Sequence, residues 1–308
     1  MINNVTELIK EEYKEWTQDK IVFIEAGTGK GKSHFIKNTL YNYAKENGKK
    51  ILLLSNRTNL LNQNIYELAQ EDKLAEGVIA CYNYQKLDYQ ESHIKYKDEY
   101  INIGDFDYVV CDECHYFFTD APFNKFTPVS LKWILESRAV KIFMSATPRI
   151  VKKYIREKLG EDNIVAYPLP TDYSYINKLY FYKNPQIIED NLLDNLEEDE
   201  KVIYFNRSAT DCYRLHKKYE NNSMFVVSEY NDLYKFVDVK AKEEMLEKQR
   251  FQTQILFTTS CMDNGINIKD KAIKHIVLDI RDFDTMIQCL GRKRVIDEAD
   301  TITLYIRN

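Results

Sequence analysis

Ile21-Val22-Phe23-Ile24-Glu25-Ala26-Gly27-Thr28-Gly29-Lys30-Gly31-Lys32-Ser33 is the stretch on which the reading of the whole chain turns. Residues 21–24 form a short apolar run typical of a buried strand, and Phe35, Ile36, Leu40 and Ala44 follow at helical spacing. The segment therefore reads as strand, glycine-dense loop and helix. Loop glycines let successive backbone N–H groups turn inward, and the start of the helix adds its positive dipole end, so the loop suits a polyphosphate. Lys32 would neutralise the outer phosphates and the Ser33 hydroxyl would hold a magnesium ion. Ala26, Gly27, Thr28, Gly29, Lys30, Gly31, Lys32 and Ser33 are thus candidate ATP contacts. The competing reading is an ordinary glycine turn between a strand and a helix, which the intact flanking pattern disfavours.

Composition bounds the rest. The 308 residues suffice for two domains, and a hydrophobic content of 44% can build a core in each. Nothing at the N-terminus resembles a signal peptide, and no apolar run approaches the roughly 18 residues that span a membrane. A cytoplasmic protein with no membrane partner is the expectation. Six scattered cysteines fit reduced thiols in a chain of this size. Cys111 and Cys114 share a C-x-x-C spacing, but no second pair or histidine cluster accompanies them, so the spacing reads as coincidental. A net charge of −5 argues against a surface that coats nucleic acid wholesale, yet leaves room for a local basic groove. Few prolines and glycines disfavour disorder, and no repeat is apparent. The acidic run from Glu189 to Glu200, interrupted by Leu192, Leu193 and Leu196, reads as a solvated helix face.

Along the chain, Val5, Leu8, Ile9, Tyr13 and Trp16 predict a helix over 4–18. Tyr13 or Trp16 would either stack on an adenine or pack, with packing favoured on an apolar helix face. Apolar runs at 51–54, 78–81, 108–111 and 142–144 predict further strands, with a helix from about Asn59 to Ala69. Strands alternating with helices predict a parallel sheet covered on both faces, whose ligands sit at the carboxyl ends of the strands. The fourth strand ends in Asp112-Glu113-Cys114-His115. Two adjacent acids closing a buried strand are costly unless they serve an ion or a reaction: one can hold magnesium while the other positions an attacking water. The fifth ends in Ser145-Ala146-Thr147. Residues 165–171 contain Pro168 and Pro170 and break the pattern, which puts a boundary there between domains over 1–167 and 172–308. The second half is again α/β, with strands at 179–181, 202–205, 225–227, 255–257, 276–278 and 302–306. Its helices are expected through Leu196, over 210–219 and over 241–251, and it has no phosphate loop of its own.

Several of these motifs resemble those of a known family. Ala26 stands where the general phosphate-loop pattern has its first glycine and is followed by Gly29, Gly31, Lys32 and Ser33, which resembles the first motif of superfamily 2 helicases. Asp112 to His115 resembles the DExH form of the second motif, and Ser145-Ala146-Thr147 the third. Thr259, six residues before Gly265-Ile266-Asn267, resembles the fifth. Gln288-Cys289-Leu290-Gly291-Arg292 resembles the sixth, whose pattern is Gln-x-x-Gly-Arg-x-x-Arg; Val295 occupies the last arginine position and Arg294 lies one place early. The motifs keep the family order from Ala26 to Arg294.

A superfamily 2 DExH-box helicase core implies an α/β fold of two RecA-like domains, each a mainly parallel sheet flanked by helices, with ATP in the cleft between them. The resemblance assigns Lys32 and the loop amides to the phosphates, Ser33 and Asp112 to magnesium, and Glu113 to the general base or water positioner. Gln288 would orient that water. Arg292 would stabilise charge developing on the γ-phosphate, a contribution worth about 10³-fold or more in rate. Arg294 is a second such arginine if a local bulge brings it to the phosphate, and a surface arginine otherwise. Gly265 and Asn267 join the nucleotide contacts, and His115, Ser145 and Thr147 would couple the ATP state to a bound strand. Nucleic-acid contacts would come from Arg57, from Tyr84 and Gln85, from Arg207 and from Thr259, mostly to backbone. A solvated arginine at 57 and packed tyrosines near 84 are the competing readings.

The implied function is a nucleic-acid-dependent ATPase that couples hydrolysis to translocation on, or unwinding of, DNA or RNA, with DNA slightly favoured. The motifs meet backbone rather than bases, so they do not separate the two. A protein partner that supplies specificity belongs to the same expectation. The alternatives are a double-strand translocase that leaves strands paired, an ATP-gated clamp with slow turnover, for which the Val295 departure leaves room, and a phosphate-loop enzyme acting on a small molecule.

Overall fold

The computed structural model describes residues 4–56, 58–87, 101–119, 127–260 and 267–308. They divide into two compact units, Met1–Thr171 and Asp172–Asn308.

In the first unit β1 (Ile21–Ala26), β2 (Ile51–Ser55), β3 (Ile79–Asn83), β4 (Tyr108–Cys111), β5 (Val140–Ser145) and β6 (Ile164–Leu169) form one parallel sheet in the order β3-β2-β4-β5-β1-β6. The central strands are apolar on both sides because helices cover both faces. Val22, Ile24, Leu53, Val110 and Ile142 pack with Phe35, Ile36, Leu40 and Tyr41 on one face. Phe23, Leu52, Val109 and Phe143 pack with Ile134, Val151 and Ile155 on the other. Burying each such side chain is worth about 1.5–3 kcal/mol, which is what anchors the strand ends where the chemistry sits. The helix that leaves the glycine loop starts at Lys32–His34, passes through a π-helical stretch, Phe35–Leu40, and resumes at Tyr41–Glu46.

Two sequence expectations change here, and the packing favoured for Tyr13 and Trp16 is what the structure has. The helix expected over 4–18 is one turn and a half, Val5–Ile9, followed by a 3-10 turn, Glu12–Glu15; Lys10 at φ 52 stops it. Tyr13 and Trp16 are buried against Phe35, and Trp16 Nε1 donates to Tyr167 Oη at 3.2 Å, so both pack rather than wait for a base. The proline-bearing segment near 168 is not a break but the edge strand β6. Ile21 N donates to Asn163 O, and the resulting alternation turns position 168 outward, where a missing N–H costs nothing.

In the second unit β7 (Ile176–Tyr182), β8 (Lys201–Asn206), β9 (Ser223–Val226), β10 (Ile255–Thr258), β11 (Ile273–Asp279) and β12 (Ile302–Arg307) form a parallel sheet in the order β7-β12-β11-β8-β10-β9. Its helices start on side-chain caps: Ser208 Oγ accepts from Asp211 N, Asp238 from Ala241 N and Asp282 from Thr285 N. The helix expected to run through Leu196 is shorter, Gln186–Asn191 with a 3-10 turn at Leu193–Asn195. Glu189, read as part of a solvated face, is only 4% exposed and is held by Arg214 at 3.3 Å and Lys218 at 3.0 Å. Cys111 and Cys114 are buried free thiols, and no metal-ligand cluster occurs among the described residues. Nor is any described helix long and apolar enough to cross a membrane.

Candidate active site

The glycine loop bends through Gly29 at φ 79 and Gly31 at φ 82, both in the left-handed region that side chains avoid. Gly27 is closely approached for a different reason: a Cβ there would fall 2.7 Å from Thr171 Oγ1, so that hydroxyl would have to move. Lys32 is buried and its ammonium donates to Ala26 O at 2.7 Å and Gly27 O at 3.2 Å, so its charge is held at the mouth of the loop. The N-terminal helix is tied to the same loop, because Val5 N donates to Lys30 O at 2.9 Å. That tether was not legible in the sequence; the Asn4 cap on Glu7 N signals only that a helix begins.

The acids at the end of β4 lie in a crowded, dry setting. Asp112 is buried, and its carboxyl is pushed up to about 6, first by that burial and then by the charge of Glu113; Lys32 and Lys37 pull the other way. Glu113 adopts φ 49, an uncommon left-handed backbone for a glutamate, and its N–H donates to Asp112 Oδ1 at 3.1 Å. His115 Nδ1 lies 3.4 Å from Glu113 Oε2 and 3.1 Å from Ser145 Oγ. Ser145 Oγ in turn accepts from Thr147 N at 3.0 Å, and Thr147 Oγ1 is buried without a hydrogen-bond partner. The end of β4 and the end of β5 are thus joined by a continuous polar path. A carboxylate whose proton affinity is raised by burial and by a second acid is short of positive charge, and a divalent cation would fit that deficit.

Tyr84, expected to stack on a base, is fully buried instead. It stacks on Tyr116 with ring centroids 5.0 Å apart and donates from Oη to Asp112 O at 2.9 Å, so it braces the acidic turn. Gln85 Nε2 donates to Asn56 O at 3.3 Å, which bridges the ends of β2 and β3. Arg57 and Gly265 lie outside the described residues.

In the second unit Gln288 closes the helix Phe283–Leu290, and its carbonyl accepts from Arg292 Nε at 3.1 Å; both side chains are largely buried. Ile268 N donates to Arg292 O and accepts Arg294 N on its own carbonyl, each at 2.8 Å. Arg294 Nε then donates to Asn267 Oδ1 at 2.8 Å. Burial, and next the neighbouring Arg292, hold the Arg294 guanidinium down at about 10. Of the two expectations for Arg294 the solvated one does not hold: the guanidinium is partly buried and engaged by Asn267. Between the two arginines Lys293 forms a fully buried ion pair with Asp300, while Val295 is half-exposed. Arg207 is partly exposed, 3.9 Å from Asp279, and Thr259 is half-buried just beyond β10.

Within the first unit, Lys32, Asp112, Glu113, His115, Ser145 and Thr147 thus line one end of the sheet. Within the second, Asn267, Gln288, Arg292 and Arg294 share one loop system.

Residues 1–150 match the family described as Type III restriction enzyme, res subunit. No curated protein matches the sequence. Among solved structures the chain is similar to S. cerevisiae Dbp5 bound to RNA and ADP BeF3, with a TM-score of 0.64 and 15% identity over 99% of this chain and 88% of that one. It is also similar to Mss116p bound to ssRNA and AMP-PNP, with a TM-score of 0.61 and 14% identity over 94% of this chain and 66% of that one.

Proposed function

We propose that this chain, a superfamily 2 helicase core of two RecA-like units and an ATP-hydrolysing enzyme, couples ATP hydrolysis to movement along a nucleic-acid strand. The observation that carries the coupling is the polar path from Glu113 through His115 and Ser145 to Thr147. A change at the acid would reach the end of β5 through successive polar contacts of 3.4, 3.1 and 3.0 Å.

The loop amides and Lys32 hold the phosphates; the ammonium leaves the carbonyls of Ala26 and Gly27 for a stronger, charge-assisted partner. Asp112 and Ser33 hold magnesium, which when bound neutralises phosphate charge. Glu113 takes the proton of the attacking water or orients it, and Gln288 assists. Arg292 meets the charge that develops on the γ-phosphate. Asn267 belongs to this reading as the partner that holds Arg294. Gln85, Arg207 and Thr259, with Arg57 and Gly265 assigned from sequence alone, supply the strand and nucleotide contacts.

DNA is the first substrate to test, because the family that matches residues 1–150 is described as a restriction enzyme subunit. Both structural relatives named above carry RNA, at identities of 15% and 14%, so RNA is the alternative arm. The proposed setting is the cytoplasm, where buried cysteines stay reduced. Strand-displacement and triplex-displacement assays test the movement: strand release supports unwinding, triplex release alone supports a double-strand translocase, and neither result contradicts both.

A second reading, an ATP-gated clamp with slow turnover, is favoured by one observation. Arg294 is engaged by Asn267 and position 295 is valine, which leaves Arg292 as the arginine in register.

A further inference from the structure

The second unit ends in an edge that its own helices leave bare. β7 is the outermost strand, paired on one side to β12, and Leu179, Tyr180 and Phe181 are 49%, 49% and 64% exposed. Natural edge strands are usually short, bulged or interrupted by charge and proline. β7 runs seven residues; its register against β12 shifts once at its start, beside Lys178, but the apolar triplet Leu179-Tyr180-Phe181 beyond is unbroken.

The ladder fixes what each residue presents. Asn308 N donates to Tyr182 O, so Tyr182 and Tyr180 turn their backbone groups toward β12, and the N–H and C=O groups of Leu179 and Phe181 face outward. Register pairs Leu179 with Leu304 and Phe181 with Ile306, which lie on one face; Tyr180 stacks on Tyr305 on the other, with ring centroids 5.5 Å apart. The edge therefore offers unpaired backbone groups together with apolar side chains at alternate positions, which is what an added strand reads.

Charge selects the occupant. Residues 176–183 carry Lys178 and Lys183 and no acid, in a chain of net charge −5. A second copy of β7 laid parallel and in register would set Lys178 on Lys178 and Lys183 on Lys183, which is unfavourable. We propose that β7 is a docking edge for an extended, acid-flanked apolar segment of a partner protein, added as a further strand. This is independent of the ATP site.

The probe is a fluorescent peptide of alternating valine and threonine closed by glutamates at both ends, with a lysine-ended peptide of the same core as comparison, titrated into the full chain by anisotropy. The glutamate-ended peptide should bind at least tenfold tighter than the lysine-ended one. Phe181→Pro, which removes an outward N–H without touching the β12 ladder, should weaken it at least tenfold, with circular dichroism showing that the fold is kept. Lys178→Glu with Lys183→Glu should reverse the preference. Equal binding of the two peptides, no binding of either, or affinity unmoved by Phe181→Pro would overturn the proposal. So would self-association of the chain that Phe181→Pro abolishes, which would make the occupant a second copy.

Discussion

Arg294 Nε donates to Asn267 Oδ1 at 2.8 Å, so the arginine that stands one place early in its motif is spent on the asparagine of the preceding one. With Ile268 bridging Arg292 and Arg294 through its backbone, the two motifs of the second unit form one rigid loop system. Arg292→Ala should lower kcat by about 10³-fold. Arg294→Ala should lower kcat much less and instead cost about 1.5–3 kcal/mol in unfolding, the worth of a hydrogen bond to a charged group. Equal losses in kcat, with stability unchanged in both, would make Arg294 a second catalytic arginine.

The path from His115 to Thr147 predicts a separation of hydrolysis from movement. Ser145→Ala removes the atom that both His115 Nδ1 and Thr147 N meet. ATP binding should be kept, and strand displacement per ATP hydrolysed should fall at least tenfold. A proportional loss of both activities would show that Ser145 serves hydrolysis itself.

Asp112 predicts a sign for pH. Its carboxyl is held at about 6 by burial and by Glu113, above the ordinary value of about 4, so the folded chain binds more protons there than the unfolded chain between those values. Without nucleotide, this group makes stability fall as pH rises from about 4 to 6. Asp112→Asn should be more stable than the parent above that window, and the difference in Tm should shrink on acidification. A difference that does not vary with pH would contradict the assignment.

Gly27 predicts a repairable defect. Gly27→Ala sets a methyl group 2.7 Å from Thr171 Oγ1 and should displace the loop and weaken ATP binding. Adding Thr171→Ala removes the opposing atoms and should restore most of the affinity. Failure of the second change to help would mean that the alanine acts through the backbone.

Much of this fold was legible because its signals are local. The run at 21–24, the glycines after it and the acids at 112–113 each follow from what a buried strand can carry, and the strands appear where those runs predict. What misled were residues whose environment is made by distant parts of the chain. Tyr84 looks like a base-stacking tyrosine until Tyr116 and the Asp112 carbonyl surround it. Glu189 looks solvated until Arg214 and Lys218 close over it. Pro168 reads as a breaker because sequence does not say which strand is at the edge of a sheet. The tie between Val5 N and Lys30 O is a backbone contact that no side-chain pattern announces.

The most direct test of the central claim is steady-state ATPase activity with no polynucleotide, with single-stranded DNA, with duplex DNA and with single-stranded RNA, using Lys32→Ala as the blank. One of these polymers should stimulate turnover, and Lys32→Ala should abolish it. Robust turnover indifferent to every polymer would contradict that claim.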